Sequence, residues 1–111
     1  MDRKTIEIIL RKYVEKVKTV VKAQSVILYG SYARGTATEW SDIDLMIITN
    51  FQKKNEVELM NKLSDIGSKI DSERIFDVRI LKKNDFVNIS HLSILSEAKK
   101  EGIIIYQKRF N

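Results

Sequence analysis

The sequence predicts a single α/β (α+β) domain, residues 1–111, in which about four strands form one sheet covered by helices. Three observations predict it. Apolar residues recur at three-to-four spacing in three segments, 3–22, 56–70 and 90–101, the period of a helix with one buried face. Between these segments stand four short runs, 25–29, 42–48, 74–81 and 103–106, that are apolar or alternating and too short for buried helices. The 111 residues contain no Pro, no repeat and no low-complexity tract that would mark a linker, and the length suits one domain.

The elements follow in order. Residues 3–22 place Ile6, Ile9, Leu10, Tyr13, Val14, Val17, Val20 and Val21 on one stripe, with Arg and Lys between them. This predicts an amphipathic helix of about five turns packed on a sheet. Residues 25–29 form the first strand, and Gly30 ends it. Gly35 and Thr36 limit the helix that follows to one or two turns. Residues 42–48 form a strand that opens on two acids. Residues 56–70 repeat the helical spacing through Val57, Leu59, Met60, Leu63, Ile66 and Ile70. Residues 74–81 alternate, with Phe76, Val78 and Ile80 on one face and Ile75, Asp77 and Arg79 on the other. Asn84 or Asp85 caps a short turn. Residues 90–101 form a helix with Leu92, Ile94, Leu95 and Ala98 inward, which Gly102 ends. Residues 103–106 form the last strand, and Gln107 to Asn111 are a polar tail.

Chemistry concentrates between Gly30 and Leu45, which read GSYARGTATEWSDIDL. A Gly-Ser at a strand end can offer backbone N–H groups to a phosphate, helped by the helix start behind it. Asp42 and Asp44 stand two apart, so on a strand both carboxylates leave the same face. Asp77 is a third carboxylate, inside an otherwise apolar strand where an unpaired charge is costly. Three converging carboxylates repel one another and raise each other's pKa unless cations stand between them. A bland alternative for Asp77 is a structural pairing with Arg79, and Asp71 is a weaker substitute because it falls in a turn. Arg34 either contacts phosphate or is solvated. Trp40 either stacks on a base or packs against the domain. His91, at the start of the 90–101 helix, has no acidic neighbour in the sequence, and Ser90, Ser93 and Ser96 read as helix polar positions and not as a nucleophile set.

Gly30-Ser31, Gly35 and Ser41-Asp42-Ile43-Asp44-Leu45 resemble the G-S-x-x-x-G…S-D-x-D-L signature of the DNA polymerase β-like nucleotidyltransferase superfamily. The short chain and the Ala33-Arg34-Gly35 turn resemble its minimal nucleotidyltransferase (MNT) branch. The specific motif covers residues 26–48, while element order matches along nearly the whole chain. The resemblance implies a mixed four-stranded sheet and Mg2+-dependent transfer of AMP from ATP. It implies that Gly30, Ser31 and Arg34 bind the nucleotide. It implies that Asp42, Asp44 and Asp77 ligate two Mg2+ ions, with Asp77 helping to deprotonate the attacking hydroxyl. Larger members carry a second domain for the acceptor, and 111 residues leave no room for one. In the MNT branch the acceptor is a tyrosine on a separate HEPN-type ribonuclease toxin, and the MNT protein is the antitoxin. A non-catalytic antitoxin that neutralises its partner by masking it is the alternative, and a homodimer stays open.

Composition excludes several other classes. The chain has no Cys and one His, so thiolate chemistry and His-rich metal sites are out, and any metal site is built from oxygen ligands that favour Mg2+ or Mn2+. It is 43% hydrophobic and 32% charged, too apolar for a disordered chain. No apolar run approaches bilayer length, and the N-terminus has no signal-peptide core, so the expected location is cytoplasmic with no membrane partner. The net charge of +5 comes from Lys spread along helix faces and in pairs. No RNA- or DNA-binding motif accompanies it, so nucleic acid is not an expected partner.

Overall fold

In the computed structural model, residues 3–89 and 96–109 are described. Helix α1 spans Arg3–Val17, strand β1 Ser25–Tyr29, helix α2 Ser31–Arg34, strand β2 Ile43–Ile48 and helix α3 Glu56–Ile70, the last preceded by a 3-10 turn at Lys53–Asn55. Strand β3 spans Phe76–Leu81, helix α4 Lys83–Val87, helix α5 Ser96–Glu101 and strand β4 Ile103–Gln107. The four strands form one mixed sheet in the order β3-β2-β1-β4. The pairs β1·β2 and β1·β4 are antiparallel, and β2·β3 is parallel, with α3 as the crossover between them.

The expected α/β domain is therefore the observed one, with local differences. The first helix ends at Val17, short of the expected end at Lys22. The stripe of apolar residues continues through Val20 and Val21, but Thr19-Val20-Val21 is β-branched and favours leaving the helix. The Thr19 hydroxyl donates to the Lys16 carbonyl at 2.7 Å. The chain then tightens into turns in which Val20 and Val21 N–H both reach the Val17 carbonyl. Both valines still pack on the core. Where a capped turn was expected at residue 84 or 85, a five-residue helix forms. Of the last expected helix, Ala98 is buried and α5 covers its C-terminal part, whereas Leu92, Ile94, Leu95 and His91 lie outside the described residues.

The core is asymmetric. On one face of the sheet, Val26, Leu28, Ile43, Leu45, Ile47, Phe76, Val78 and Ile80 pack against α1 and α3. Tyr13 anchors this layer: its ring stacks on Phe76 with centroids 5.4 Å apart, and its hydroxyl donates to the Leu63 carbonyl at 2.9 Å. The hydrogen bond satisfies a polar atom that burial would otherwise leave without water. The other face is only partly covered. Ile27, Tyr29, Met46 and Ile48 pack with Ala98 of α5, bordered by Leu81 and Phe86. Continuous apolar runs in β1 and β2 thus reflect burial on both faces. The partial cover leaves one end of the second face for polar side chains. Among the described residues, no helix is long and apolar enough to cross a membrane.

Gly67 shows how closely α3 lies on the sheet. A Cβ there would fall 2.2 Å from the Phe76 ring. Gly67→Ala is therefore expected to lower stability by a net ~1–2 kcal/mol, because overpacking outweighs alanine's better helix propensity. A urea midpoint equal to or above that of the wild type would contradict this packing.

Candidate active site

The site begins where β1 runs out. Gly30 has φ +74°, a conformation in which an L side chain is strained. A Cβ at Gly30 would also lie 2.1 Å from Asp44 Oδ2. The residue must be glycine for two independent reasons, and the second shows that the Asp44 carboxylate lies directly against the turn. The Gly30 carbonyl accepts from the N–H groups of Ala33 and Arg34, both at 3.1 Å, and starts α2. Ser31 is the first residue of that helix. Gly35, in the left-handed region at φ 77°, ends it by donating its N–H to the Ser31 carbonyl. The motif thus folds into a single tight turn of helix between two positive-φ glycines.

Strand pairing supplies the rest. In the antiparallel β1·β2 ladder Tyr29 stands opposite Asp44, and in the parallel β2·β3 ladder Asp44 stands beside Asp77. Neighbouring strands are about 4.8 Å apart, and residues in register share a face. Tyr29, Asp44 and Asp77 therefore form a row across three strands on the partly covered face. Asp42 is exposed and immediately precedes β2, whose ladder begins with Ile43 N–H donating to the Ile75 carbonyl at 2.9 Å. Asp44 and Asp77, 33 residues apart, stand side by side because β2 and β3 are parallel neighbours.

The electrostatics follow from this crowding. The Asp44 carboxyl is pushed above its ordinary 3.8, first by burial and then by Asp77 and Asp42, with Arg34 and Arg79 opposing. The Tyr29 phenol, 7% exposed, is pushed up to about 12 by burial and by the same two carboxylates, Asp44 and Asp77. Asp77 Oδ1 lies 3.4 Å from Arg79 Nε, two residues along the same strand face. The structural pairing weighed from sequence is thus present, in a partly exposed form. As the side chains stand, no three acidic or histidine side chains among the described residues are gathered closely enough to enclose a metal ion. The donor set itself, carboxylate oxygens on two adjacent strands, suits a hard divalent cation.

Arg34 points away from the solvated reading. Its guanidinium contacts the Glu97 carboxylate, and Glu101 lies 3.7 Å away, so it ties α2 to α5. These are partly exposed pairs, each worth about 0–1 kcal/mol. Asp71 is engaged elsewhere: its carboxylate contacts the Arg74 guanidinium and accepts from Glu73 N–H at 3.0 Å. It closes the turn after α3 and is no substitute for Asp77. Sequence reasoning missed Tyr29, which reads as one more apolar strand residue. Only the β1·β2 register reveals it as a neighbour of Asp44. A groove of about 510 Å³ on the α1 side is lined by Ile6, Leu10, Leu28 and Ile105 and, from the motif stretch, by Tyr32, Ala33, Arg34, Gly35 and Ala37.

A raised carboxyl pKa means that the folded chain holds its proton more tightly than the unfolded chain. The ionised carboxylate then costs stability above pH 3.8, and that cost grows as pH rises through the raised value. In the absence of divalent ions, Asp44→Asn is expected to melt at a higher temperature than the wild type at pH 7. The difference should close as pH falls below 3.8. A lower melting temperature at pH 7 would contradict the crowding.

Comparison with known proteins agrees with this geometry. The family model described as polymerase beta, nucleotidyltransferase matches residues 10–111. A protein of Methanocaldococcus jannaschii provisionally named a protein adenylyltransferase is 41% identical over 68 residues, covering 60% of this chain and 46% of its own length. A second from the same organism, named in the same way, is 44% identical over 71 residues, covering 60% and 71%. The chain thus spans about half the length of the first relative. Two solved structures share the fold. One, a crystal structure from Sulfolobus solfataricus provisionally named a nucleotidyltransferase, has TM-score 0.58 and 19% identity over 97% of this chain and 91% of its own. The other, a toxin-antitoxin with AMP-PNP, has TM-score 0.56 and 23% identity over 93% and 74%. With the family model matching nearly the whole chain and the glycine-bounded turn facing the strand carboxylates, the protein belongs to the polymerase beta nucleotidyltransferase family.

Proposed function

We propose that the chain is an Mg2+-dependent nucleotidyltransferase that moves AMP from ATP to a hydroxyl of a protein acceptor. The observation that carries this reading is the Asp44–Asp77 register beside the Gly30–Ser31 turn. In this reading Ser31 and the N-terminal end of α2 bind the terminal phosphates. Arg34 leaves its exposed pairs with Glu97 and Glu101 to add positive charge there. Asp42, Asp44 and Asp77 would hold two Mg2+ ions, which supply charge neutralisation of the triphosphate and acidify the acceptor hydroxyl. For this Asp77 must turn from Arg79. Asp77 accepts the hydroxyl proton, the acceptor oxygen bonds to the α-phosphorus, and the bond to the β-phosphate oxygen breaks to release pyrophosphate.

The acceptor we infer is a tyrosine of a HEPN-type toxin, with this chain as antitoxin. Support comes from the names of the relatives and from the toxin-antitoxin whose fold this chain shares. A second reading, neutralisation by binding alone, is favoured by one observation: among the described residues no three acidic side chains are gathered closely enough to enclose a metal ion.

The two readings part in one experiment. The chain is incubated with α-labelled ATP, Mg2+ and a HEPN-type toxin encoded beside it. Label is expected on the toxin, lost with EDTA and reduced about 10²-fold or more in Asp42→Asn and Asp44→Asn. No labelling by the wild type, with toxin still neutralised by both variants, would replace catalysis with masking.

A further inference from the structure

The loop joining α2 to β2 carries Trp40, the chain's one tryptophan. Sequence leaves it two roles, packing against the domain or stacking on a ligand. The structure removes the first, since Trp40 is 86% exposed, more than any other large apolar side chain described. Its backbone is nonetheless held. Thr38 N–H donates to Ser41 Oγ at 2.9 Å, Trp40 N–H to Thr38 Oγ1 at 3.2 Å, and Ser41 N–H to the Thr38 carbonyl at 3.1 Å. A single exposed apolar residue is ordinary on a protein surface. An indole presented by a stapled turn beside a reaction centre is a narrower case.

Position decides what it meets. Trp40 stands two residues before Asp42, so their Cα atoms are separated by about 7 Å at most. The loop starts at the helix turn that would hold the terminal phosphates and ends at the carboxylates where the α-phosphate would lie. The ribose and base extend from that phosphate by a distance comparable to the reach of an indole. Among the described residues no other aromatic side chain is exposed. Tyr29 is buried, Tyr32 interacts with Arg74, and Phe51 lies under Lys82.

We propose that Trp40 is the platform on which the nucleobase stacks, so that the site recognises a base by its π-face and prefers purine over pyrimidine nucleoside triphosphates. Stacking on an aromatic side chain tolerates base identity and follows stacking strength. The proposal rests on the nucleotidyltransferase reading.

Because the chain has one tryptophan, its emission reports the contact directly. The full chain is titrated with Mg2+ and AMP-PNP, or with Mg2+ and inorganic tripolyphosphate, while equilibrium dialysis with labelled AMP-PNP measures binding independently. AMP-PNP is expected to quench most of the emission and tripolyphosphate to leave it nearly unchanged. Trp40→Ala should weaken AMP-PNP about 5- to 100-fold and leave tripolyphosphate affinity alone, while Trp40→Phe retains most of the affinity. CTP should bind more weakly than ATP in the wild type, and the gap should shrink in Trp40→Ala. AMP-PNP bound by dialysis with unchanged emission, and equally tight binding to Trp40→Ala, overturns the proposal while leaving the nucleotidyltransferase reading intact. Unchanged nucleotide binding with reduced transfer to a protein acceptor overturns it in favour of an acceptor contact. No AMP-PNP binding to the wild type overturns both readings.

Discussion

Strand pairing holds Asp44 beside Asp77, with Asp42 just before the same strand, and much of the molecule serves to tolerate that crowding. Asp44 stands beside Asp77 because β2 and β3 run parallel in register, and it lies against Gly30 because β1 pairs antiparallel on its other side. The pairing favours folding, but the charges it brings together oppose it. Burial and repulsion raise the Asp44 carboxyl, and the same charges raise the phenol of Tyr29. The compensation lies on the opposite face, where α1, α3 and the strand side chains form the larger core around Tyr13 and Leu63. A polar row can sit on the second face because α5 covers only part of it. This division follows a common pattern, in which a destabilised site is carried by a rigid scaffold.

Much of this was legible in the sequence, and the limits have physical causes. Helices and strands announced themselves by period, and the glycine-bounded turn before Asp-x-Asp was visible as a motif. Asp77 drew attention because it interrupts an apolar alternation, where a charge requires a reason, and the ladder places it beside Asp44. What period cannot give is which strand pairs with which, so Tyr29 remained an apolar strand residue until the ladder placed it opposite Asp44. The end of α1 was overrun because Val20 and Val21 keep the helical spacing and are indeed partly buried, while β-branching and the Thr19 hydroxyl turn the backbone. Arg34 could not be resolved because its partners, Glu97 and Glu101, are more than sixty residues away.

The same turn links site and surface. Arg34 connects helix α2 to α5, which packs on the sheet near Tyr29. Asp77 has a cation at Arg79. Each of these two side chains thus has a partly exposed counter-ion beside it. Such exposed pairs contribute little to stability, and a triphosphate with its metal ions competes with them readily.

The central claim is that the carboxylate row is a metal site completed by nucleotide. Electron paramagnetic resonance of Mn2+ tests it most directly, by counting the ions bound per chain with AMP-PNP present. The account predicts about two Mn2+ per chain for the wild type, one for Asp77→Asn and none for a variant lacking both Asp42 and Asp44. Binding that is absent in the wild type, or a count that ignores all three substitutions, would contradict it.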